Sequence, residues 1–303
     1  MSRTDLLRDV WNWLPAFLEV AERGSVAEAS RHLHLTPAAV SRTVRLLEET
    51  IGAQLFDRIG RGLVLNDAGR ALREVVREAK GQLDRGLHDA LFAAEADPFA
   101  GRLRVASLGV LTSHFVVPEL LVLKATHESL VPEHQNLRTA EALAALERGE
   151  LDVVFHYEAM DAESRRVERL GETHASVYCG RSHPLFGKKR VRREDVLAHP
   201  FSVPQVGDTG RVQDGWPSEL PRQVGMRITL LASNLEVCLG GLLLTVLPDV
   251  VAAPHVAAKE LRRLPFDPLP PIEVYASWKA SEPDRVAPRA LVEAVKARLT
   301  RRS

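Results

Sequence analysis

The sequence predicts a chain of two unlike parts: a small, mainly helical domain that continues into a long helix, and then a larger α/β domain. Two patterns predict this division. Up to about residue 96, apolar residues recur at the three- and four-residue spacing of amphipathic helices, and from Gly101 onward short apolar strands alternate with helical stretches. The length of 303 residues accommodates two or three domains, since one domain commonly holds about 100–200 residues.

The first two helices are predicted from apolar spacing and capping signals. Apolar side chains over residues 11–21 predict the first helix, and Pro15 places its start near Asn12, because proline is tolerated in a first helical turn. Ser25 precedes Glu28 by three residues, the spacing of a capping box, in which each side chain satisfies the other residue's backbone N–H. A second, short helix is therefore expected directly after Ser25.

A third helix follows a proline-marked break. Thr36 supplies a capping hydroxyl and Pro37 suits the first helical position, while Gly52 ends the helix. The expected buried stripe consists of Val40, Val44, Leu47 and Ile51. The residues off this stripe, which are expected to face outward, are Ser41, Arg42 and Arg45.

A small β hairpin and one long helix come next. Residues 54–58 and 63–65 are β-prone, and the glycines between them permit a tight turn. Asn66 caps a helical pattern over residues 67–96, whose apolar positions are Ala68, Leu72, Val75, Ala79, Leu83, Leu87, Ala90 and Ala94. About thirty residues make a rod of about 45 Å, too long for one small core. The stripe favours a two-stranded coiled coil in a homodimer; the alternative is packing on the chain's own domains.

The remainder is predicted to be an α/β domain of two subdomains. Its predicted strands, separated by helical patterns, cover residues 103–107, 150–156, 175–180, 201–203 and 245–248. This alternation indicates a largely parallel sheet. Four prolines between Pro265 and Pro271 precede a last strand and a last helix. The chain is therefore expected to return to the first sheet, with crossings between the subdomains near Tyr157 and Pro268.

Composition and charge restrict the class of protein. The formal net charge is +0, so any nucleic-acid contact depends on local charge placement rather than on a global basic field. Cys179 and Cys238 resemble neither a disulfide scaffold nor a CxxC motif, which fits a reducing cytoplasm. The N-terminus lacks the apolar run of a signal peptide, and the longest apolar run is too short for a bilayer. A cytoplasmic chain without membrane segments is expected.

Enzyme and metal-binding motifs are missing from the sequence. It contains no GxSxG, HExxH, GxGxxG or P-loop pattern. Its 11 histidines are scattered without ligand spacing, apart from His32 and His34, which flank a turn and are expected at the surface. We therefore expect neither an enzyme nor a resident metal or cofactor.

A run of about sixty residues carries a family resemblance. The run LPAFLEVAERGSVAEASRHLHLTPAAVSRTVRLLEETIGAQLFDRIGRGLVLNDAGRAL resembles the DNA-binding domain of the LysR-type transcriptional regulators. The matching features are GS before the second helix, TPAAVSR at the third, LE, G and LF-R leading into the hairpin, and AG opening the long helix. More loosely, RGELDVVF, RSHPLF and LLLTVLP occur where the family has effector-domain elements. The departures are Ser30, Asn66 and Leu243, the last of which replaces a glycine in a segment that often shapes the inducer cleft.

The resemblance implies a domain plan and a set of partners. The implied parts are an all-α winged helix-turn-helix domain (residues 10–66), a dimerising linker helix (67–98) and an α/β, periplasmic-binding-protein-like effector domain (99–303), with subdomain I at about 99–160 plus 269–303 and subdomain II at about 161–268. The implied partners are double-stranded promoter DNA, a small-molecule inducer, and further copies in a homodimer or homotetramer. RNA polymerase is a further candidate partner.

The candidate DNA contacts lie in and around the third helix. A helix-turn-helix presents the start of its second helix to base edges in the major groove, and arginine can bind guanine O6 and N7 together. No acid occurs between Ala29 and Leu47, whereas Arg58 and Arg61 bring positive charge to the hairpin. The candidates are Arg31, Thr36, Pro37, Ala38, Ser41, Arg42, Arg45, Arg58 and Arg61. The alternative is a three-helix domain with solvated arginines.

The candidate inducer contacts lie at strand ends and helix starts of the α/β domain. Ligands bind at such places in open α/β sheets, and hydroxyl and N–H groups there suit an anionic inducer such as a carboxylate. The candidates are Ser107, Thr112, Ser113, Arg138, Thr139, Gln205 and Thr245. The alternative is that these residues are ordinary caps. An alternative hypothesis is a redox-responsive regulator that uses Cys179 and Cys238. Both thiols are expected to be buried, which argues against this hypothesis.

Overall fold

The computed structural model describes residues 3–59, 62–92, 97–204, 214–217, 219–266, 269–280 and 285–302. The chain divides into two compact units, residues 1–93 with 147–150, and residues 94–146 with 151–303. We call them the N-terminal unit and the effector unit. Within the described ranges, no helix is both long and apolar enough to cross a membrane.

The N-terminal unit consists of three helices, a hairpin and a long fourth helix. Its elements are α1 (Arg3–Arg23), α2 (Val26–His32), α3 (Pro37–Ile51), β1 (Phe56–Ile59), β2 (Gly62–Leu65) and α4 (Asp67–Phe92). The strands β1 and β2 pair antiparallel, with Phe56 opposite Leu65. The first three helices share a core with the hairpin, and its best-buried members include Phe17, Val40, Leu47 and Leu55.

The predicted caps are formed in part: of the capping box, only the bond to the Ser25 hydroxyl is present, and the Glu28 side chain does not accept from the Ser25 N–H. The Ser25 hydroxyl accepts from the Glu28 N–H, and the Thr36 hydroxyl accepts from the Ala39 N–H. Gly52 ends α3 in the left-handed conformation at φ 74°, which a residue without a side chain adopts without strain. Asn66 Oδ1 accepts from the Gly69 N–H at the start of α4. Local side-chain chemistry therefore sets four helix ends in this unit.

The start of α1 differs from the prediction. The helix begins at Arg3 rather than near Asn12, so Pro15 lies in its interior. Both Pro15 and Trp11 are exposed, and water can satisfy the Trp11 carbonyl oxygen that lacks its helical N–H partner. Two expected buried positions are exposed, Trp11 of α1 and Ile51 of α3, whereas Val40, Val44 and Leu47 of the α3 stripe are buried.

The effector unit contains two five-stranded sheets. Its strands are β3 (Gly101–Ala106), β4 (Leu130–Gln135), β5 (Val153–His156), β6 (Arg165–Thr173), β7 (Ala175–Gly180), β8 (Phe201–Val203), β9 (Val224–Arg227), β10 (Leu244–Pro248), β11 (Leu261–Arg263) and β12 (Ile272–Lys279). Sheet I has the order β4-β3-β5-β12-β6, and sheet II has the order β11-β7-β10-β8-β9. The helices are α5 (Val117–Thr126), α6 (Thr139–Glu147), α7 (Arg193–Leu197), α8 (Leu231–Gly240), α9 (Asp249–Ala257) and α10 (Val286–Arg302), and a π-helical turn spans Leu111–Val116.

Two predictions about these sheets were wrong. Each sheet is mixed rather than largely parallel: β3 pairs parallel with β4 and β5, whereas β12 pairs antiparallel with β5 and β6. The first crossing was expected near Tyr157, yet β6 stays in sheet I and the chain passes to sheet II only after Thr173. After its return from sheet II, β12 lies between β5 and β6 and runs antiparallel to both. The predicted return of the last strand to the first sheet is confirmed.

Helices cover both faces of sheet I. One face packs on the π-helical turn, α5 and α10 through residues such as Leu111, Phe115 and Leu291. The other face packs on α6 through Leu143 and Leu146. The loops that follow β3, β4 and β5 therefore begin at one edge of a sheet that is held from both sides.

Candidate functional site

The start of α3 presents an exposed polar face. Val40, Val44 and Leu47 bury the opposite face in the core of the N-terminal unit. The exposed residues are Thr36, Pro37, Ala38, Ser41, Arg42 and Arg45, all of which were predicted as DNA contacts. The first turn of α3 contains no acid. This face joins small and hydroxyl side chains with two arginines, the residue types that approach base edges and phosphates closely.

The turn before α3 is held by backbone and side-chain hydrogen bonds. His34 occupies the left-handed region at φ 56°, and the Leu35 N–H donates to the Ser30 carbonyl at 2.9 Å. Ser30, which departs from the family's alanine, is buried, and its hydroxyl donates to the Ala27 carbonyl at 3.0 Å. The serine is therefore satisfied inside α2. Arg31, another predicted DNA contact, is exposed on the same helix.

The hairpin is tied to α3 and α4 at its base. Glu48 is buried on α3, and its carboxylate accepts from the Leu55 N–H at 2.8 Å. Asn66 Nδ2 donates to the Gln54 carbonyl at 2.9 Å. Arg58 lies in β1 opposite Leu63. The predicted contact Arg61 lies outside the described residues.

The two arginines of α3 differ in their surroundings. Arg45 Nε lies 3.2 Å from a Glu49 carboxylate oxygen. Arg42 is exposed and has no hydrogen-bond or ion-pair partner in the described part of the chain. Glu49 stands four residues after Arg45, which is a helical ion-pair spacing that the sequence analysis did not use.

In the effector unit, two of the predicted inducer contacts meet. Ser107 follows β3 and is 1% exposed, and its hydroxyl lies 2.9 Å from the Thr112 hydroxyl on the π-helical turn. The same Ser107 oxygen lies 2.7 Å from His134 Nε2 on β4. Burial lowers the pKa of His134 below its ordinary value. These three side chains form a neutral hydrogen-bonded group at the carboxyl ends of two parallel strands.

The other predicted inducer contacts are not joined to this group. Ser113 is exposed and its hydroxyl donates to the Gly109 carbonyl, whereas Arg138 and Thr139 stand at the start of α6. Thr245 is fully buried on β10 in sheet II, opposite Ser202 of β8. Gln205 lies outside the described residues.

Three polar residues that were not among the predicted contacts lie close to those that were. His134 was missed because LVPEHQ, which contains a proline and three polar residues, was not recognised as a strand. Ser202 and Asn234 are both buried, and the Ser202 hydroxyl donates to Asn234 Oδ1 at 2.6 Å. Asn234 stands in the first turn of α8, which begins at Leu231, and this bond holds its side chain against sheet II.

The cysteines lie in the interior of the effector unit. Both are free and buried. Burial raises the pKa of Cys179 to about 11 and that of Cys238 to about 12, so the reactive thiolate is scarce at neutral pH. The redox reading is therefore not favoured. Within the described ranges, no group of three or more His, Cys, Asp or Glu side chains could hold a metal ion.

Family models match both units. The model described as bacterial regulatory helix-turn-helix protein, lysR family, matches residues 11–70, and the LysR substrate binding domain matches residues 96–300. A RuBisCO operon transcriptional regulator of Allochromatium vinosum is 29% identical over 71% of this chain and 72% of its own length. The regulator TrpI of Pseudomonas aeruginosa is 29% identical over 82% of this chain and 84% of its own.

Solved structures share the fold. A full-length OxyR variant from Pseudomonas aeruginosa aligns with a TM-score of 0.68 at 20% identity, covering 94% of this chain and 93% of its own. Full-length CbnR in complex with its target DNA aligns with a TM-score of 0.67 at 20% identity, covering 95% and 99%. The predicted fold class is confirmed, and the matched family consists of transcriptional regulators rather than enzymes. The chain belongs to the LysR family of DNA-binding transcriptional regulators, with an N-terminal helix-turn-helix domain and a C-terminal effector-binding domain.

Proposed function

We propose that α3 lies in the major groove of operator DNA and reads base edges with Ser41, Arg42 and Arg45. The observation that carries this proposal is the exposed, acid-free start of α3 behind a fixed turn. A helix in the groove needs a face free of bulky apolar groups, and Ala38 leaves room for close approach. Thr36 and Arg31 are then assigned to phosphate oxygens beside the groove, which set register and orientation.

The hairpin is assigned to the flanking DNA. Its base is anchored by Glu48 and Asn66. Arg58 and Arg61 bring positive charge there, which suits a phosphate or a narrow minor groove. Because the formal net charge of the chain is zero, these local arginines must supply the attraction to DNA.

The proposed active species is a homodimer, or a homotetramer built from two dimers. Along α4, Val75, Leu83 and Leu87 are 64%, 48% and 63% exposed in the single chain. An apolar stripe of this spacing is buried when two such helices pair. Paired N-terminal units also present two copies of α3 to a two-fold symmetric operator.

The effector unit is proposed to bind a small-molecule inducer at the carboxyl ends of sheet I. Ser107 and Thr112 supply hydroxyls there, and Thr139 begins α6, whose N-terminal N–H groups favour an anion such as a carboxylate. Thr245 belongs to sheet II and is assigned to the opposite side of the cleft. We also propose contacts with RNA polymerase and a cytoplasmic location, where promoter DNA lies.

A footprint of the full-length protein tests this proposal. The purified protein is bound to the DNA beside its own gene, with and without candidate carboxylate metabolites. We expect a protected, roughly two-fold symmetric site whose pattern changes with the inducer. Phosphate contacts are strongest at low salt, so the absence of any protected site under that condition would contradict the proposal.

A further inference from the structure

The ion pair between Arg45 and Glu49 lies on the exposed face of α3. The side chains are 68% and 60% exposed, and the joined atoms are Arg45 Nε and a Glu49 carboxylate oxygen, 3.2 Å apart. Glu48, the other acid of α3, is buried and bound to the Leu55 N–H. Glu49 is thus the one acid on the exposed face of this helix, which the structure describes in full.

Helix stability does not account for Glu49. It stands in the last turn of α3, where the helix dipole disfavours a carboxylate. An arginine that precedes a glutamate by four residues is also the less favourable order for a helical ion pair. Near DNA, the carboxylate would in addition repel phosphate. A residue that conflicts with each of these local rules is a candidate for a functional role.

We propose that Glu49 is a positioning residue that holds Arg45 for base reading. With one oxygen 3.2 Å from Nε, the carboxylate limits the rotamers of Arg45 by charge attraction and leaves both terminal NH₂ groups free for guanine O6 and N7. The arginine then loses less conformational freedom on binding. The carboxylate also weakens binding to phosphate alone. This inference rests on the proposed use of α3 in the major groove.

The test compares base preferences among four variants of the full-length protein. These are Arg45→Ala, Glu49→Ala, Glu49→Gln and the control Asp84→Ala, which removes an equal charge from an exposed ion pair on α4. Equilibrium binding is measured on the footprinted operator, on its single-base-pair variants and on scrambled DNA. A bidentate arginine–guanine contact contributes strongly, so Arg45→Ala is expected to lower discrimination at one base pair about fivefold or more.

Glu49→Ala is expected to lower discrimination at the same base pair about two- to fivefold, because exposed ion pairs contribute modestly. It should bind scrambled DNA at least as tightly as the unsubstituted protein does. Glu49→Gln should keep part of the discrimination, since its amide oxygen keeps a partial negative charge beside the Arg45 guanidinium. Asp84→Ala should leave all base preferences unchanged.

The outcomes separate the two proposals. If Arg45→Ala changes no base preference, base reading by Arg45 fails and the positioning role fails with it. If Arg45→Ala removes a preference that Glu49→Ala retains, only the positioning role is overturned. A uniform change of affinity for every DNA in both Glu49 variants would make the carboxylate a repelling charge alone, which also overturns it.

Discussion

The two units of the chain use their polar side chains differently. In the N-terminal unit, the candidate DNA contacts of α2 and α3 are exposed. Buried polar atoms there, such as the Glu48 carboxylate, bind backbone N–H groups and so hold the backbone in place. In the effector unit, polar groups such as Ser107, Ser202 and Thr245 are buried inside the fold. Substitutions on the exposed face should therefore change binding alone, whereas substitutions in the effector unit should also change stability.

The largest expected effect is at a buried ion pair of the effector unit. Arg222 lies 2.7 Å from Asp214, both side chains are nearly inaccessible, and the guanidinium lies over the Trp216 ring at 4.8 Å. Arg222→Ala leaves the Asp214 carboxylate buried without its partner, which typically costs about 3–5 kcal/mol of unfolding free energy. Urea denaturation followed by tryptophan fluorescence measures it. The control is Arg169→Ala, which removes an exposed pair with Glu273 and should change stability little. Equal losses of unfolding free energy in the two variants would contradict the expected difference between buried and exposed ion pairs.

A pH-dependent loss of stability is expected next. Burial, with a smaller contribution from His199, lowers the pKa of His183 from 6.5 to about 4. The unfolded chain therefore binds a proton at a higher pH than the folded chain does. The contribution of His183 to the free energy of unfolding is complete above about pH 6.5. It decreases as the pH falls toward 4, by at most about 1.4 kcal/mol per pH unit.

Unfolding midpoints compared at several pH values measure this contribution of His183. His183→Gln, which cannot take up a proton, should flatten the profile between pH 4 and 6.5 relative to the unsubstituted protein. His134 and His156 also have lowered pKa values, so part of the slope should remain. An unchanged slope in His183→Gln would show that His183 does not titrate as described.

A smaller loss of stability is expected at the hydrogen bond between Glu48 and the Leu55 N–H in the N-terminal unit. Glu48→Ala removes the acceptor of the Leu55 N–H, and Leu55 is 1% exposed. An unsatisfied buried N–H costs about 1–3 kcal/mol. Glu48→Gln retains an acceptor oxygen and should recover part of this stability in thermal unfolding. If Glu48→Ala and Glu48→Gln unfold at the same temperature, the hydrogen bond does not hold the hairpin as described.

Local chemistry explains why the N-terminal unit was the more predictable one. Ser25, Thr36, Gly52 and Asn66 each act on neighbouring backbone, so the sequence alone predicts the helix ends they produce. The start of α1 was predicted too late in the chain because proline usually occurs in a first helical turn. Pro15 is exposed to solvent, which makes it tolerable in the middle of the helix.

The effector unit depends on contacts between distant residues. The pairing of β12 with β6 joins residues about a hundred positions apart, and no local pattern in either strand indicates a mixed sheet. The edge strands β4 and β9 lack an apolar alternation because they bury little. His134 was therefore missed beside Ser107, and the Ser202–Asn234 hydrogen bond joins two elements that spacing cannot relate.

Arg42→Ala tests most directly whether α3 reads bases. Arg42 is exposed and has no partner within the described ranges, so its removal should leave thermal unfolding unchanged. Affinity is measured in parallel on the footprinted operator and on scrambled DNA of the same length. We expect a loss of about 1–3 kcal/mol on the operator and a much smaller loss on scrambled DNA. Equal losses on both DNAs would show that Arg42 contacts phosphate alone and would contradict base reading by α3.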